Sequence, residues 1–454
     1  MRKVFKVILA AVVITAMLAN VTACGSSSGK TGGAAEPAKT DTNGTDKTSA
    51  EKKNPVTIKY ATYSVGTDIG APILKKQLEE FPKTKEGAGI KVEIEEIPGV
   101  DSYAQKMKLL IASGDLPDVV QPTGANFMDL AIKAGKVADL TPYFEADKEF
   151  KSSYDPKSLE FNTRDGKIYS VPLNKEACFI YYNKELFQKA NVEEPKTWKE
   201  FWAACDKLKV AGITPLAMDT ADFGWLTSLM LSSLIGTDGE AGNKWMNTQL
   251  PKDYNTPEVI KAFAAVQKIF QEYTTKDAVG GKFDNGANHF FKSEVAMITN
   301  GPWMVGDFSN KEKAPEGFYD KVGVMLFPEG GMVSVSQFGY MVGSKEKEKA
   351  DAAMSFIKYI TSPESQLEYL QTVGNFPDSP KVSIPDSLKK DNPVLAKCLE
   401  LSTQAKITYA ENQAYWYPNT LDVLSNLLPQ LAFSKITPED FSKKLTEAAQ
   451  KNKE

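Results

Sequence analysis

The stretch Ile298 to Asp307, ITNGPWMVGD, sets Trp303 directly after a Gly-Pro pair and three residues before another glycine. Glycine opens backbone angles closed to other residues and proline locks its own φ, so together they fix where the indole points. A tryptophan held this firmly either plugs a core or forms the floor of a binding site. Reactive chemistry is scarcer. The chain has one histidine, His289, too few for a His-based metal motif or zinc cluster. A Ser-His-Asp triad would have to use that same residue, which sits in a predicted helix beside Phe290. Gly25-Ser26-Ser27-Ser28-Gly29 matches G-x-S-x-G, but in a low-complexity segment with no strand before it. No dinucleotide fingerprint, phosphate loop or EF-hand loop occurs, so no cofactor or metal is expected. Carboxylates are plentiful, at 58 Asp and Glu, yet no pair stands out as glycosidase machinery.

The N-terminus has chemistry of another kind. Arg2, Lys3 and Lys6 lead into the apolar run Val7 to Ala19. As a helix that run spans about 20 Å, short of the roughly 30 Å of membrane hydrocarbon, so it reads as a secretory h-region. Val21-Thr22-Ala23-Cys24 then resembles the lipobox of bacterial lipoproteins, whose cysteine is lipidated and becomes the mature N-terminus. Residues 25–54 hold no aromatic residue and cannot bury enough apolar surface to offset their ordering entropy, which makes them a tether. Removal of 1–23 takes away three positive charges and no acid, moving the formal charge from −4 to −7. So acidic a body is a poor partner for nucleic acid. Cys178, Cys205 and Cys398 remain, an odd number at wide spacing that reads as buried thiols rather than a disulfide framework.

The elements that must position Trp303 have an α/β pattern. Val56, Ile58 and Tyr60 alternate with polar residues, as do Ile90, Val92 and Ile94, each the mark of a half-buried strand. Between them 73–81 reads as a helix. Tyr103, Met107, Leu110 and Ile111 fall at helical spacing before the short strand 118–120. Strand, helix, strand, helix, strand predicts a largely parallel sheet with crossover helices, and ligands in such sheets sit beyond the carboxyl ends of strands. That places residues 62–67 and 121–126 at a candidate rim. The second half is richer in helix. Thr256-Pro257 opens a long helix, 295–298 is a strand running into Gly-Pro-Trp, 338–342 is another strand, and 352–360 and 364–373 are helices.

From about Pro55 onward the chain resembles the extracellular solute-binding proteins of ABC importers, most closely the family-1, maltose-binding-protein-like branch that carries sugars. Ser113-Gly-Asp-Leu-Pro-Asp-Val-Val, Asp165-Gly-Lys-Ile-Tyr-Ser-Val-Pro, Tyr181-Tyr-Asn-Lys-Glu-Leu-Phe and Pro195-Lys-Thr-Trp-Lys-Glu-Phe carry the likeness in order. Gly212-Ile-Thr-Pro, Phe291-Lys-Ser-Glu-Val-Ala-Met-Ile-Thr-Asn-Gly-Pro-Trp and Phe356-Ile-Lys-Tyr-Ile-Thr-Ser-Pro-Glu continue it. Each motif alone is weak; their order and spacing over the whole mature body are specific. The resemblance implies an α/β, two-lobed, hinged fold of the periplasmic-binding-protein type II with the ligand in the cleft between the lobes. It implies an N-lobe from 55–174 and 336–374 and a C-lobe from 175–335 and 375–454, after a signal peptide at 1–23 and a lipidated tether at 24–54.

The same resemblance implies roles for particular residues. Trp303 matches a stacking platform, on which the apolar C–H face of a pyranose lies against an aromatic ring. Trp416 and Tyr417, in Ala414-Tyr-Trp-Tyr, match a second stacking segment, with core packing the standing alternative. Trp225 aligns with a cleft aromatic, and Glu176 with a ligand-bonding carboxylate at the first crossing. Trp198 and Trp202, at i and i+4 on one helix, read as core. Where the maltose-like pattern brings an aromatic and charged pair to the rim, this chain has Gln121-Pro-Thr-Gly-Ala-Asn126, which puts maltose itself in doubt. Tyr63 supplies an aromatic from the first strand's end. The implied protein is a monomeric, non-enzymatic lipoprotein. It is held by Cys24 on the outer face of a Gram-positive membrane and passes a sugar or oligosaccharide to the transmembrane subunits of a permease. A binding protein of the same fold for a peptide, polyol or phosphodiester, and a cell-surface carbohydrate-active enzyme, are the competing readings.

Overall fold

Alternation of apolar and polar residues produces the strands where it occurs. β1 (Val56–Thr62) pairs in parallel with β2 (Ile90–Glu96), from Val56 opposite Ile90 to Thr62 opposite Glu96. The helices Ala71–Glu80 and Val100–Ser113 make the crossovers, and β3 (Val119–Val120) joins β1 in parallel through Tyr60 and Val119. These coordinates are a computed structural model that describes residues 55–221 and 223–452, without the side chains of 101, 125 and 126. The signal segment, Cys24 and the tether therefore lie outside the described residues.

A hairpin of β4 (Thr163–Arg164) and β5 (Lys167–Ile168) turns at Asp165 and Gly166, both with positive φ. A second sheet comes next. β6 (Asn174–Asn183) is its long spine, joined by β7 (Thr214–Leu216), β8 (Val295–Asn300), β9 (Val322–Met325) and β10 (Gly331–Ser336). The chain then returns to the first sheet as β11 (Met341–Val342), antiparallel to β3, and comes back as β12 (Phe376–Pro377) and β13 (Ile407–Tyr409). The orders are β11-β3-β1-β2 and β13-β10-β6-β8-β7, with β9 and β12 also on β6.

The chain thus passes between the sheets three times. The first two passages lie side by side: Val171 and Tyr340 exchange both backbone hydrogen bonds at 2.9 Å. They approach so closely that a Cβ on Gly339 would stand 1.4 Å from the Val171 carbonyl oxygen, so only glycine fits. This is where the sequence reading of 338–342 as one strand fails. Only Met341–Val342 forms ladder bonds, because Gln337 to Tyr340 is occupied by the passage itself.

Each sheet has its own packing. Ile58, Tyr60 and Val119 of the first bury against Phe356 and Ile357 of the helix Lys347–Ile360. In the second, the helix Trp225–Gly236 is buried on nearly every face, which explains why its sequence shows no amphipathic stripe. Helix starts obey capping chemistry: Thr256 accepts from Val259 N ahead of Pro257, and Ser362 from Ser365 N ahead of Pro363. Cys178, Cys205 and Cys398 are buried and free.

Candidate ligand-binding site

A cavity of about 410 Å³ lies between the two sheets. On the first-sheet side its wall is built from the segments that leave two strand ends. Tyr63 leaves β1 and packs edge-on against Tyr103, with centroids 5.4 Å apart. Gln121, Pro122, Thr123 and Gly124 leave β3, and the Tyr103 hydroxyl accepts from Gln121 N at 2.8 Å, fixing where that loop begins. Asn126 lies just beyond, in the helix Ala125–Lys133, but its side chain is outside the described residues.

The second-sheet side contributes more, and from more places. Glu176 comes from β6, Val335 and Ser336 from the end of β10, Gln337 and Phe338 from the passage after it, and Trp225 from the first turn of the buried helix. Glu411, Gln413 and Ala414 come from the turn after β13. Phe161 packs at a tilt against Phe338, centroids 4.4 Å apart, and stacks on Tyr415 at 5.6 Å, joining the passage to that turn. None of the lining residues is Lys or Arg.

Trp225 is oriented from both ends. Phe223 and Gly224 take left-handed angles just ahead of it, an arrangement a bulky residue adopts only under constraint. Its Nε1 donates to Asn300 Oδ1 at 3.0 Å at the end of β8. The Gly-Pro-Trp turn comes directly after that asparagine. Trp303 folds back over Gly301, where a Cβ would meet its ring at 2.1 Å, and its centroid lies 6.2 Å from that of Trp225. It is half-buried, packs on both sheets' cores and is not among the lining residues. The structure therefore puts Trp225, rather than Trp303, on the wall.

Two further expectations need correction. Trp416 is 3 % exposed and packs edge-on against Tyr254 at 4.8 Å and Trp245 at 5.8 Å. It belongs to the core. Tyr417 is half-buried beneath the Lys252 ammonium, 4.7 Å from its ring, and does not line the cavity. Trp198 and Trp202 stack with each other at 5.8 Å, half-buried, as a packing pair. His289 bridges Asp277 and Glu294, with no triad partner among its hydrogen bonds.

The electrostatics centre on Glu176 and Glu411. Glu176 accepts from Gln337 Nε2 at 3.3 Å and lies 3.6 Å from Cys178 Sγ. Glu411 is 3 % exposed, caps the turn Asn412–Tyr415 and accepts from the backbone N–H groups of Gln413 and Ala414. Burial raises both carboxyl pKa values, and the charge of Glu176 adds to the rise at Glu411, which reaches about 8. Beside them Gln413 Nε2 is buried without a hydrogen-bond partner. Glu411, Gln413, Gln337, Phe161 and Phe338 carry no sequence signal that sets them apart. Position after a strand end, the signal that found Gln121, applies equally to the turn after β13.

The sequence profile of the bacterial extracellular solute-binding proteins matches residues 76–396, and this chain belongs to that family. It is 27 % identical over 342 residues to a multiple sugar-binding protein of Streptococcus mutans, covering 72 % of this chain and 76 % of the relative. An sn-glycerol-3-phosphate-binding periplasmic protein of Rhizobium meliloti is 26 % identical over 239 residues, a match spanning about half of each chain. Among solved structures, a chitin oligosaccharide binding protein superposes with a TM-score of 0.76 at 23 % identity, covering 88 % of this chain and 99 % of that one. The fold is accordingly the two-lobed α/β fold of these proteins.

Proposed function

We propose that this chain is the capturing subunit of an ABC importer for a sugar or oligosaccharide, and that it has no catalytic activity of its own. One observation carries the reading: a cavity between the sheets lined by Trp225, Tyr63, Phe161 and Phe338 together with carboxylate, amide and hydroxyl groups. Aromatic faces suit the C–H face of a pyranose, while the polar groups suit its hydroxyls. The Streptococcus relative, a sugar-binding protein by name, supports the reading. A phosphorylated ligand, as in the name of the Rhizobium relative, finds no Lys or Arg in the wall to meet its charge.

In this reading the sheets mark two lobes, 55–174 with 336–374 and 175–335 with 375–454, hinged at the passages near 172–176, 337 and 375. Ligand contacts with both lobes favour the closed state. The body is held by a lipid on Cys24 at the outer face of the membrane, a reading supported by the lipobox-like Val21-Thr22-Ala23-Cys24 after a short apolar run. It works as a monomer and hands its sugar to a separate permease.

Thermal shift across a panel of mono- and oligosaccharides tests the proposal. A ligand at about a hundred times its Kd stabilises the fold by roughly 2.7 kcal/mol. Stabilisation by at least one sugar, with no new reducing ends on incubation, supports the reading. A panel with no stabilising sugar, or release of reducing ends, contradicts it.

A further inference from the structure

We infer that the cavity takes a sugar bearing a protonated amine, a hexosamine unit whose ammonium sits at Glu176 and Glu411; this rests on the sugar-binding reading above. The balance of charge around the cavity is one-sided. Two carboxyl groups face it, one from β6 and one from the turn after β13, and no lining residue is basic. The nearby bases are engaged elsewhere: Arg164 by Asp129 and Gln249, Lys175 by Asp155.

The protein itself offers the two carboxyls only weak compensation. Glu176 has one long amide bond and a thiol, and Glu411 has two backbone N–H groups, all neutral donors. A buried carboxylate without a cation is costly, so burial raises both acids, and the charge of Glu176 raises Glu411 further. Neutral sugar hydroxyls bond these acids in the protonated form that their raised pKa values favour, and gain no charge-assisted bond from them. An ammonium has three donors and a full positive charge, so it answers both acids at once through charge-assisted bonds. Gln413 Nε2, buried beside them and unpartnered, donates to a neighbouring hydroxyl or ring oxygen, which a sugar supplies and a simple amine does not.

Isothermal titration decides the matter with ligands that differ only at C2. The probes are glucose, glucosamine and N-acetylglucosamine, the corresponding galactose series, and the β-1,4-linked trimers of the glucose series, with 1,6-diaminohexane as an amine that is no sugar. The expected result is an amino sugar at least about tenfold tighter than its neutral and acetylated partners, the scale separating charge-assisted from neutral hydrogen bonds. Glu411→Gln, nearly isosteric, should erase that preference, so that the amino sugar binds no tighter than its neutral partner whatever their absolute affinities, and Glu176→Gln provides the same reading should the first variant melt early. Neutral or acetylated sugars that bind as tightly as the amine overturn the inference and leave the sugar-binding reading standing. Diaminohexane binding with no sugar binding overturns the sugar reading. A panel with no binder contradicts both.

Discussion

Two tryptophan clusters flank the second sheet, and they look alike in sequence. Trp225 and Trp303 meet at 6.2 Å; Trp416, Trp245 and Tyr254 meet at 4.8 to 5.8 Å. Trp225 and Trp416 each stand at or just ahead of a helix start. The first cluster is half-buried, with Trp225 hydrogen-bonded by its indole N–H and its ring on the cavity wall. In the second, Trp416 is buried, with Tyr254 and Trp245 edge-on against it. An aromatic residue at a helix start becomes a binding surface only when the elements around it leave one face open. That is decided by packing partners distant in sequence.

This difference is open to attack, most forcefully at Trp416. Trp416→Ala should remove about 3–5 kcal/mol of stability by leaving a cavity among Tyr254, Trp245 and their neighbours, and leave sugar affinity unchanged in whatever protein remains folded. Denaturant unfolding and titration on the same variant check both halves. Trp303→Ala should fall between the clusters, at about 2–3 kcal/mol of stability, because the ring is half-buried but packs on two cores. Its effect on binding should be smaller than that of Trp225→Ala, through loss of the neighbour at 6.2 Å. Trp225→Ala should cost about 2 kcal/mol of binding, roughly thirtyfold in Kd, measured on the folded fraction, with a stability loss like that of Trp303→Ala because its ring too is half-buried and packs on two cores. A variant that binds normally would remove Trp225 from the site.

The smallest expected effect is one of pH. The raised acids at Glu176 and Glu411 hold protons in the folded state that the unfolded chain gives up at about 4.5. Their contribution is full below that pKa and lost as pH rises through their raised folded values, about 8 at Glu411. The ligand-free melting temperature should therefore drift down from about pH 5 to pH 8, and Glu411→Gln should flatten the drift. A drift unchanged in that variant would mean that other groups, such as His289 with its two carboxylates, carry it.

Much of this is legible in the residues, and the remainder is hidden for physical causes. β1 and β2 are readable because one face of each is more exposed than the other, and that asymmetry is what alternation records. The long helix after Thr256-Pro257 is readable because capping is local chemistry. Tyr63, Gln121, Glu176 and Trp225, all expected from the sequence, do meet in one cavity. Trp416 is misplaced by sequence reasoning because its partners Trp245 and Tyr254 are more than a hundred residues away. Glu411 escapes notice because nothing local separates it from the other 57 acids; its burial comes from the turn after β13 closing on β6 and on the passage at Phe338.

Tryptophan fluorescence measures the difference between the clusters most directly. A sugar that stabilises the protein should also shift or quench its emission. That response should disappear in Trp225→Phe and persist in Trp416→Phe. A response that survives in Trp225→Phe and vanishes in Trp416→Phe would place the ligand at the second cluster and contradict the cavity between the sheets as the binding site.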